Sequence, residues 1–481
     1  MRILRVALSL FVVAMLFCLI QEISLDDETW FLQVARRILS GELLYRDIHF
    51  GVTPLSAYVS SAICSIFGLE LIAMRALLAI YFVASALLIF AILKELGIAR
   101  PVTWPLLIAL FVIASPQANW GFSGYNGLAK VFFLGTFLFA LQKRIFFAAV
   151  CAGLCAATKQ NVGAIALLCL LAHLFARYDW RTRDFWKLSA MACAIFSALL
   201  AIILLPTALL GGWDSFVDCA IWNKARYLEI KDHPSYFSYD LPFDAYALFI
   251  YCAPFLAIGG LLLSRFRIRT EQLAWATVLI FFCGAIAVLY PRADHMQKAV
   301  AIPFFLIAIL YSYEKLQPSI PLWPLVWIWL IIGGVEKFPF AVLGDCWQGN
   351  AKISHLSHFQ QLIVDKQLLK HWGRLKRECL LPQKGTYFLS THAGFYFLLF
   401  DLQNPTPFDY PIHPALGLRG ETELLSAIAE GKIRCIVFDH PDWSNWQEIP
   451  PVRRALALET FMEEQMDIQS FDTIFQIFLA R

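Results

Sequence analysis

The stretch ISLDDETWFLQVARRILSGELLYRDIHFGVTPL, residues 23–55, follows directly on an apolar run and sets Asp26, Asp27, Glu28 and Asp47 close to it. Ser24 with Asp27 three positions later forms a capping box, and Asp26 and Glu28 suit the positive end of a helix. Trp30, Phe31, Val34 and Ile38 recur as an apolar stripe, Gln33, Arg36 and Arg37 form the polar face, and Gly41 marks the stop. This spacing predicts an amphipathic helix lying on an outer membrane surface. Capping explains part of the acid cluster. It does not explain Asp47, which lies beyond the helix in YRDIHFG.

The rest of the chain is strongly apolar. Of its 481 residues, 59% are hydrophobic and only 16% charged, with 41 Phe, against about 25% charged in a soluble domain. Mean hydropathy is +0.63. The composition predicts a polytopic α-helical membrane protein. The net charge of +3 gives no basic surface suited to nucleic acid. The 12 cysteines fall mostly inside apolar runs and show no metal-ligand spacing. Cys219, Cys346, Cys379 and Cys435 lie outside those runs, so a disulfide between two of them stays open. Arg2 and Arg5 precede the first apolar run as in a signal peptide, but no small-residue cleavage site follows it. It reads as a retained first span.

A membrane-crossing helix needs about 20 apolar residues. Runs near 4–21, 72–93, 102–116, 127–142, 145–158, 161–177, 188–210, 243–263, 272–290, 298–313 and 319–335 give about eleven transmembrane helices. The positive-inside rule places KELGIAR, QKR, ARYDWRTRDFWK, SRFRIRT and YEKLQPS in the cytoplasm, together with the N-terminus. Residues 21–71, 115–126, 158–161, 211–242 and 290–297 then face outward. This register requires that TPLSAYVSSAICSIFG, residues 53–68, not cross; it is expected to lie at the outer surface or dip into it.

Residues 1–335 therefore form the membrane domain, with 21–71 as its first outer loop, and residues 336–481 a soluble α/β domain. In the latter, GTYFLS and IRCIVFDH read as buried strands, ETELLSAIAEG between them as a helix, and TIFQIFLAR as a closing strand. An odd number of spans puts this domain on the outer side.

The order of these features resembles the GT-C superfamily of polyprenyl-phosphate-sugar glycosyltransferases, in the branch of protein O-mannosyltransferases and the lipid A aminoarabinose transferase. The resemblance rests on one span, then an outer loop with D-E, G-x-x-x-Y-x-D and P-L, then FGLELIAMRALLAIY. GLCAATKQNVG (153–163), YPRADHMQKAVAIPF (290–304) and the C-terminal α/β segment extend it.

The resemblance implies inverting sugar transfer from a polyprenyl-phosphate donor to a hydroxyl on a lipid, glycan or protein. It also implies the outer face of a bacterial inner membrane, with a periplasmic C-terminal domain. The D-E pair falls on Asp27 and Glu28, which makes Asp27 the candidate base and Glu28 a sugar- or acceptor-binding residue. A hydroxyl is a poor nucleophile, and a carboxylate within hydrogen-bond reach takes its proton as the glycosyl bond breaks. Asp47 is the second candidate carboxylate, and Asp27 and Asp47 would hold a divalent metal ion if one is used.

The leaving phosphate calls for cations. Lys159 interrupts two apolar runs, and reads either as a phosphate ligand or as a snorkelling turn marker. Arg292 suits bidentate phosphate binding, or else pairs with Asp294. Asp294 and His295 are candidates for positioning the sugar. Arg75 reads as a phosphate ligand or a helix anchor, and Arg46 shares that ambiguity. The aromatics of residues 213–240 suit the membrane interface or a sugar.

Two other classes compete. A transporter or lipid flippase would place charges near the midplane and show related halves. A glycan polymerase or ligase would not require the D-E loop. Here the charges cluster at one face and no half repeat is visible, which favours the transferase.

Overall fold

The computed structural model describes residues 27–98, 124–222, 245–265, 272–290, 293, 295–316, 351–360, 362–365, 385–411, 416, 420–439, 456–470 and 475–480, with residues 12 and 15. They fall into two compact units. A bundle unit is drawn from Leu78–Ile203 and His233–Ala341, and a mixed unit from Glu22–Leu77, Leu204–Asp232 and Val342–Arg481. The mixed unit therefore takes in the loop expected at 21–71 as well as the C-terminal segment that the sequence sets apart at residue 336.

The helices, in chain order, are α1 (Asp27–Leu39), α2 (Leu55–Phe67), α3 (Leu71–Glu95), α4 (Gly124–Leu141), α5 (Ile145–Thr158), α6 (Gln160–Arg177), α7 (Arg183–Gly211), α8 (Trp213–Val217), α9 (Ala245–Arg265), α10 (Gln272–Val288) and α11 (His295–Leu316). The expected apolar runs at 4–21, 102–116 and 319–335 lie wholly or almost wholly outside the described residues. Five helices among the described residues are long and apolar enough to cross a membrane: α3, α4, α6, α7 and the Gln297–Leu316 part of α11. The chain is a membrane protein. Ile202, Leu209, Leu168 and Phe175 stay largely exposed on these helices, as lipid-facing side chains do.

Inside the bundle unit, α4 packs on α5, α6 and α11, and α11 also packs on α9 and α10. Aromatic rings fill the centre, with Phe133 and Phe304 at 4.3 Å and Phe137 stacked on Phe281 at 4.4 Å. Small residues set the helix spacing. A Cβ on Gly163 of α6 would fall 2.1 Å from the backbone nitrogen of Ala156 on α5. That close approach is the membrane packing device of small residues at an interface.

The mixed unit is built around a four-stranded sheet and a helical layer. β1 (Ala351–Ile353) and β2 (Ile363–Asp365) form a separate antiparallel pair. β3 (Thr386–Leu389), β4 (Cys435–Asp439), β5 (Met466–Ser470) and β6 (Phe475–Ala480) pair in the order β3-β4-β6-β5. β3 and β4 are parallel, and α12 (Ala393–Leu399) and α13 (Gly420–Ala429) lie between them in sequence. β6 pairs antiparallel with β4 and with β5, which follows α14 (Leu456–Gln465). The strands expected from sequence in this segment form within the predicted stretches, and the helix begins one residue before its own, at Gly420.

One feature of the segment 27–71, the surroundings of α1, differs from the expectation. α1 ends where Gly41 was expected to stop it, at φ +93°, with Glu42 N–H donating to the Arg37 carbonyl and Gly41 N–H to that of Ile38, a Schellman closure. Yet both faces of α1 are covered by protein. Phe31, Leu32, Val34 and Ala35 are buried, and so are Gln33 and Arg37 of the polar face. α2 packs on one side of it and α12 on another. A Cβ on Gly394 of α12 would lie 2.9 Å from the Trp30 Cα, so these two backbones touch.

α2, at 13 residues, is too short to cross. It buries Ser56, Ser60 and Cys64 while Ile66 and Phe67 remain about 70% exposed. Its exposed end is apolar.

Candidate functional site

In the mixed unit, the candidate residues begin at the start of α1. Asp27 and Glu28 occupy its first turn, where helix N–H groups favour negative charge. Their environments differ. Glu28 is fully buried, and both its oxygens are taken by Arg75 of α3, with Nε donating to Oε1 and Nη2 to Oε2, each at 2.9 Å. Arg75 is itself 0% exposed. Asp27 is only partly buried. Arg75, proposed from sequence as a phosphate ligand or an anchor, is thus one half of a buried bidentate ion pair.

The turn after α1 carries Asp47. Its carboxylate accepts from Arg46 at Nε (2.9 Å) and Nη2 (2.8 Å), and from the Leu43 N–H (2.8 Å). The hydrogen bond from Arg46, aided by the Leu43 amide and opposed by desolvation, holds the Asp47 carboxyl below its ordinary value. This is a structural reason for Asp47 that helix capping could not supply. Tyr45 sits at φ +71°, a conformation uncommon outside glycine. It is fixed there by its hydroxyl donating to the Val52 carbonyl (2.8 Å) and by its ring against Phe216 (5.1 Å). The turn rests on the end of α7, where a Cβ on Gly211 would fall 2.2 Å from the Leu44 carbonyl oxygen.

The bundle unit holds a separate set of candidate residues. Lys159 is the single residue between α5 and α6, extended at φ −151° and ψ 105°. Its Nζ donates to Asn126 Oδ1 on α4 at 2.6 Å and to Gln297 Oε1 on α11, and lies 5.2 Å from the Tyr125 ring. The contact between Gly163 and Ala156 lets the chain reverse so sharply. Lys159 is 3% exposed, and two further lysines at this end of the bundle are equally buried. Lys130, one turn past Asn126, lies over Phe82, and Lys298, next to Gln297, lies over Tyr251. The sequence reading passed over Asn126, Lys130, Gln297 and Lys298. The signal was present for the lysines, since each stands inside a predicted span.

Arg292 and Asp294 lie outside the described residues. His295 opens α11, two residues before Gln297. Among the described residues no group of three His, Cys, Asp or Glu converges to hold a metal ion. Cys219 and Cys435 are free thiols, while Cys346 and Cys379 lie outside the described residues.

No protein-family model matches the chain, and no curated protein sequence matches it significantly. Solved structures do. ArnT from Cupriavidus metallidurans bound to undecaprenyl phosphate aligns at a TM-score of 0.57 and 13% identity, over 99% of this chain and 97% of that one. The Archaeoglobus fulgidus oligosaccharyltransferase in the apo form aligns at 0.52 and 12%, over 90% and 69%. The mycobacterial arabinofuranosyltransferase AftD aligns at 0.50 and 14%, over 99% and 40%. All three are GT-C glycosyltransferases, and this chain has the GT-C fold. At these identities the likeness is one of fold.

Proposed function

We propose that the chain is an inverting glycosyltransferase that moves a sugar from a polyprenyl-phosphate carrier to a hydroxyl acceptor at the outer face of a bacterial inner membrane. The observation that carries this reading is the division of labour between the two acids of the D-E pair. Arg75 takes up both oxygens of buried Glu28, while Asp27 stands partly exposed in the first turn of the same helix. The GT-C fold and the binding of undecaprenyl phosphate by the similar ArnT structure support the donor class.

In this reading Asp27 accepts the proton of the acceptor hydroxyl as its oxygen bonds to the anomeric carbon. The bond from that carbon to the phosphate oxygen breaks with its electron pair, and the phosphate leaves without needing an acid. Glu28 and Arg75 set the orientation of the helix start. Lys159 supplies positive charge for the leaving phosphate, held ready by Asn126 and Gln297. Arg292, Asp294 and His295 are proposed to flank the same phosphate and sugar. Asp47 is proposed to orient the acceptor, through a turn that Arg46 and Leu43 hold rigid. The acceptor is a lipid, glycan or protein hydroxyl, and the C-terminal segment is periplasmic.

Transfer from a synthetic polyprenyl-phosphate sugar by the purified protein tests the proposal. Asp27→Asn should lower kcat by about 10²- to 10⁴-fold, the usual contribution of a general base. Lys159→Gln should instead weaken polyprenyl-phosphate binding. Wild-type turnover by the Asp27 variant would remove it from the mechanism.

A further inference from the structure

The polar side of α1 takes no part in the transfer just described, yet Arg37 is tied down at every guanidinium nitrogen. It is buried, and its Nε donates to Glu42 Oε2 (2.8 Å), its Nη1 to Asp409 Oδ2 (2.8 Å), and its Nη2 to the carbonyls of Asp47 and Thr406. Asp409 is also fully engaged. It accepts from Asn404 Nδ2 (2.8 Å) and more distantly from Gln33 Nε2 (3.4 Å) of α1.

Asn404 shapes the segment that presents Asp409. Its Oδ1 accepts from the Thr406 amide and hydroxyl, each at 2.9 Å, and its Nδ2 donates to the Phe408 carbonyl. Tyr387 of β3 donates its hydroxyl to the same carbonyl (3.1 Å), so the segment is anchored on the sheet. A second tie runs alongside: the His49 amide donates to the Pro407 carbonyl at 2.8 Å. Next to Arg37, Arg36 donates to the carbonyls of Phe397 and Leu402 at the end of α12.

We propose that Arg37 and Asp409 are a positioning pair: they fix the turn bearing Asp47, and α1 with it, onto residues 404–409, so that this C-terminal segment sets the geometry of the reacting loop. The inference rests on the transferase reading above. Its physical basis is that one planar guanidinium bridges four acceptors from two distant stretches of chain, 42–47 and 406–409, which an ammonium on a flexible stem cannot reproduce. Asp409, lacking exposure, leaves Arg37 no solvent with which to replace it. The pair touches neither reacting atom in this scheme; it acts through the placement of the Asp47 turn.

Arg37→Lys, Asp409→Asn and the double variant of the full-length protein test this in lipid nanodiscs. Activities are normalised to folded protein, and amide hydrogen exchange is followed over residues 43–48. Each single variant should lower kcat by at least about tenfold while KM for the donor changes little, since small misplacements of reacting groups are costly. The double variant should be no worse than the poorer single. Protection of the 43–48 amides should fall in all three. Wild-type kcat per folded molecule, additive losses, or undiminished protection would each overturn the pair. If the wild type transfers no sugar, the transferase reading fails, and the exchange measurement alone still decides whether Arg37 and Asp409 hold the turn.

Discussion

Arg75→Met should be among the most damaging single changes outside the reacting groups. It removes two 2.9 Å hydrogen bonds and takes the Arg75 cation away from a Glu28 carboxylate whose side-chain exposure is 0%. Breaking a buried pair by removing one partner costs roughly 3–5 kcal/mol, because the remaining charge keeps its desolvation penalty. A loss of about 4 kcal/mol corresponds to about 10³ in an equilibrium constant. Replacing both partners by apolar residues of similar size removes the penalty itself, and such exchanges are often neutral or stabilising. The double variant Glu28→Leu/Arg75→Met should therefore recover most of the stability. Thermal unfolding of detergent-purified protein, with abundance in the membrane as a second measure, follows all three. A single Arg75→Met variant as stable as wild type, or a double variant as poor as the single, would refute the reasoning. Transfer by the refolded double variant would then report how far Asp27 depends on the pair for its placement.

Two further predictions follow from local geometry. Asp47 has a depressed carboxyl pKa in the folded state, so its contribution is complete above about pH 4, the unfolded value, and fades as pH falls through the lower folded value. Arg46→Ala should raise the Asp47 titration toward that ordinary value, read from exchange at the Leu43 amide after correction for intrinsic rates; an unmoved titration would exclude Arg46 as the cause. Gly394→Ala should separate α12 from α1, because its methyl would meet Trp30 backbone atoms at 2.9 and 3.0 Å. A cost of about 1–3 kcal/mol is usual for such overpacking, and a thermal transition identical to wild type would show that the contact yields freely.

The elements that could be read from sequence are those whose causes are local. The run 145–158 coincides with α5, and 272–290 nearly with α10, because lipid-facing helices must be apolar along their length. Gly41 stops α1 for reasons held within one turn of chain, while Ser24 and Asp26 of the expected cap lie outside the described residues. The environment of α1 was not legible. Gln33, Arg36 and Arg37 look like a solvated face, and what covers them is Asp409, Thr406 and Leu402, more than 360 residues later. No periodicity encodes that pairing. Asp47 had no helical role to predict, and its reason for existing is a turn closed by its own neighbours. Asn126 and Gln297 escaped notice because a neutral amide in an apolar helix acquires meaning only when a Lys159 from elsewhere arrives beside it.

The one-residue link between α5 and α6 bears on the lipid as well as on the protein. With 14 residues, α5 rises about 21 Å, about 9 Å less than a typical hydrocarbon core. A bilayer meeting so short a helix accommodates it by thinning, by snorkelling of flanking residues or by helix association. In the proposed reaction, such a local adjustment would shorten the distance in depth between a carrier's phosphate and Lys159.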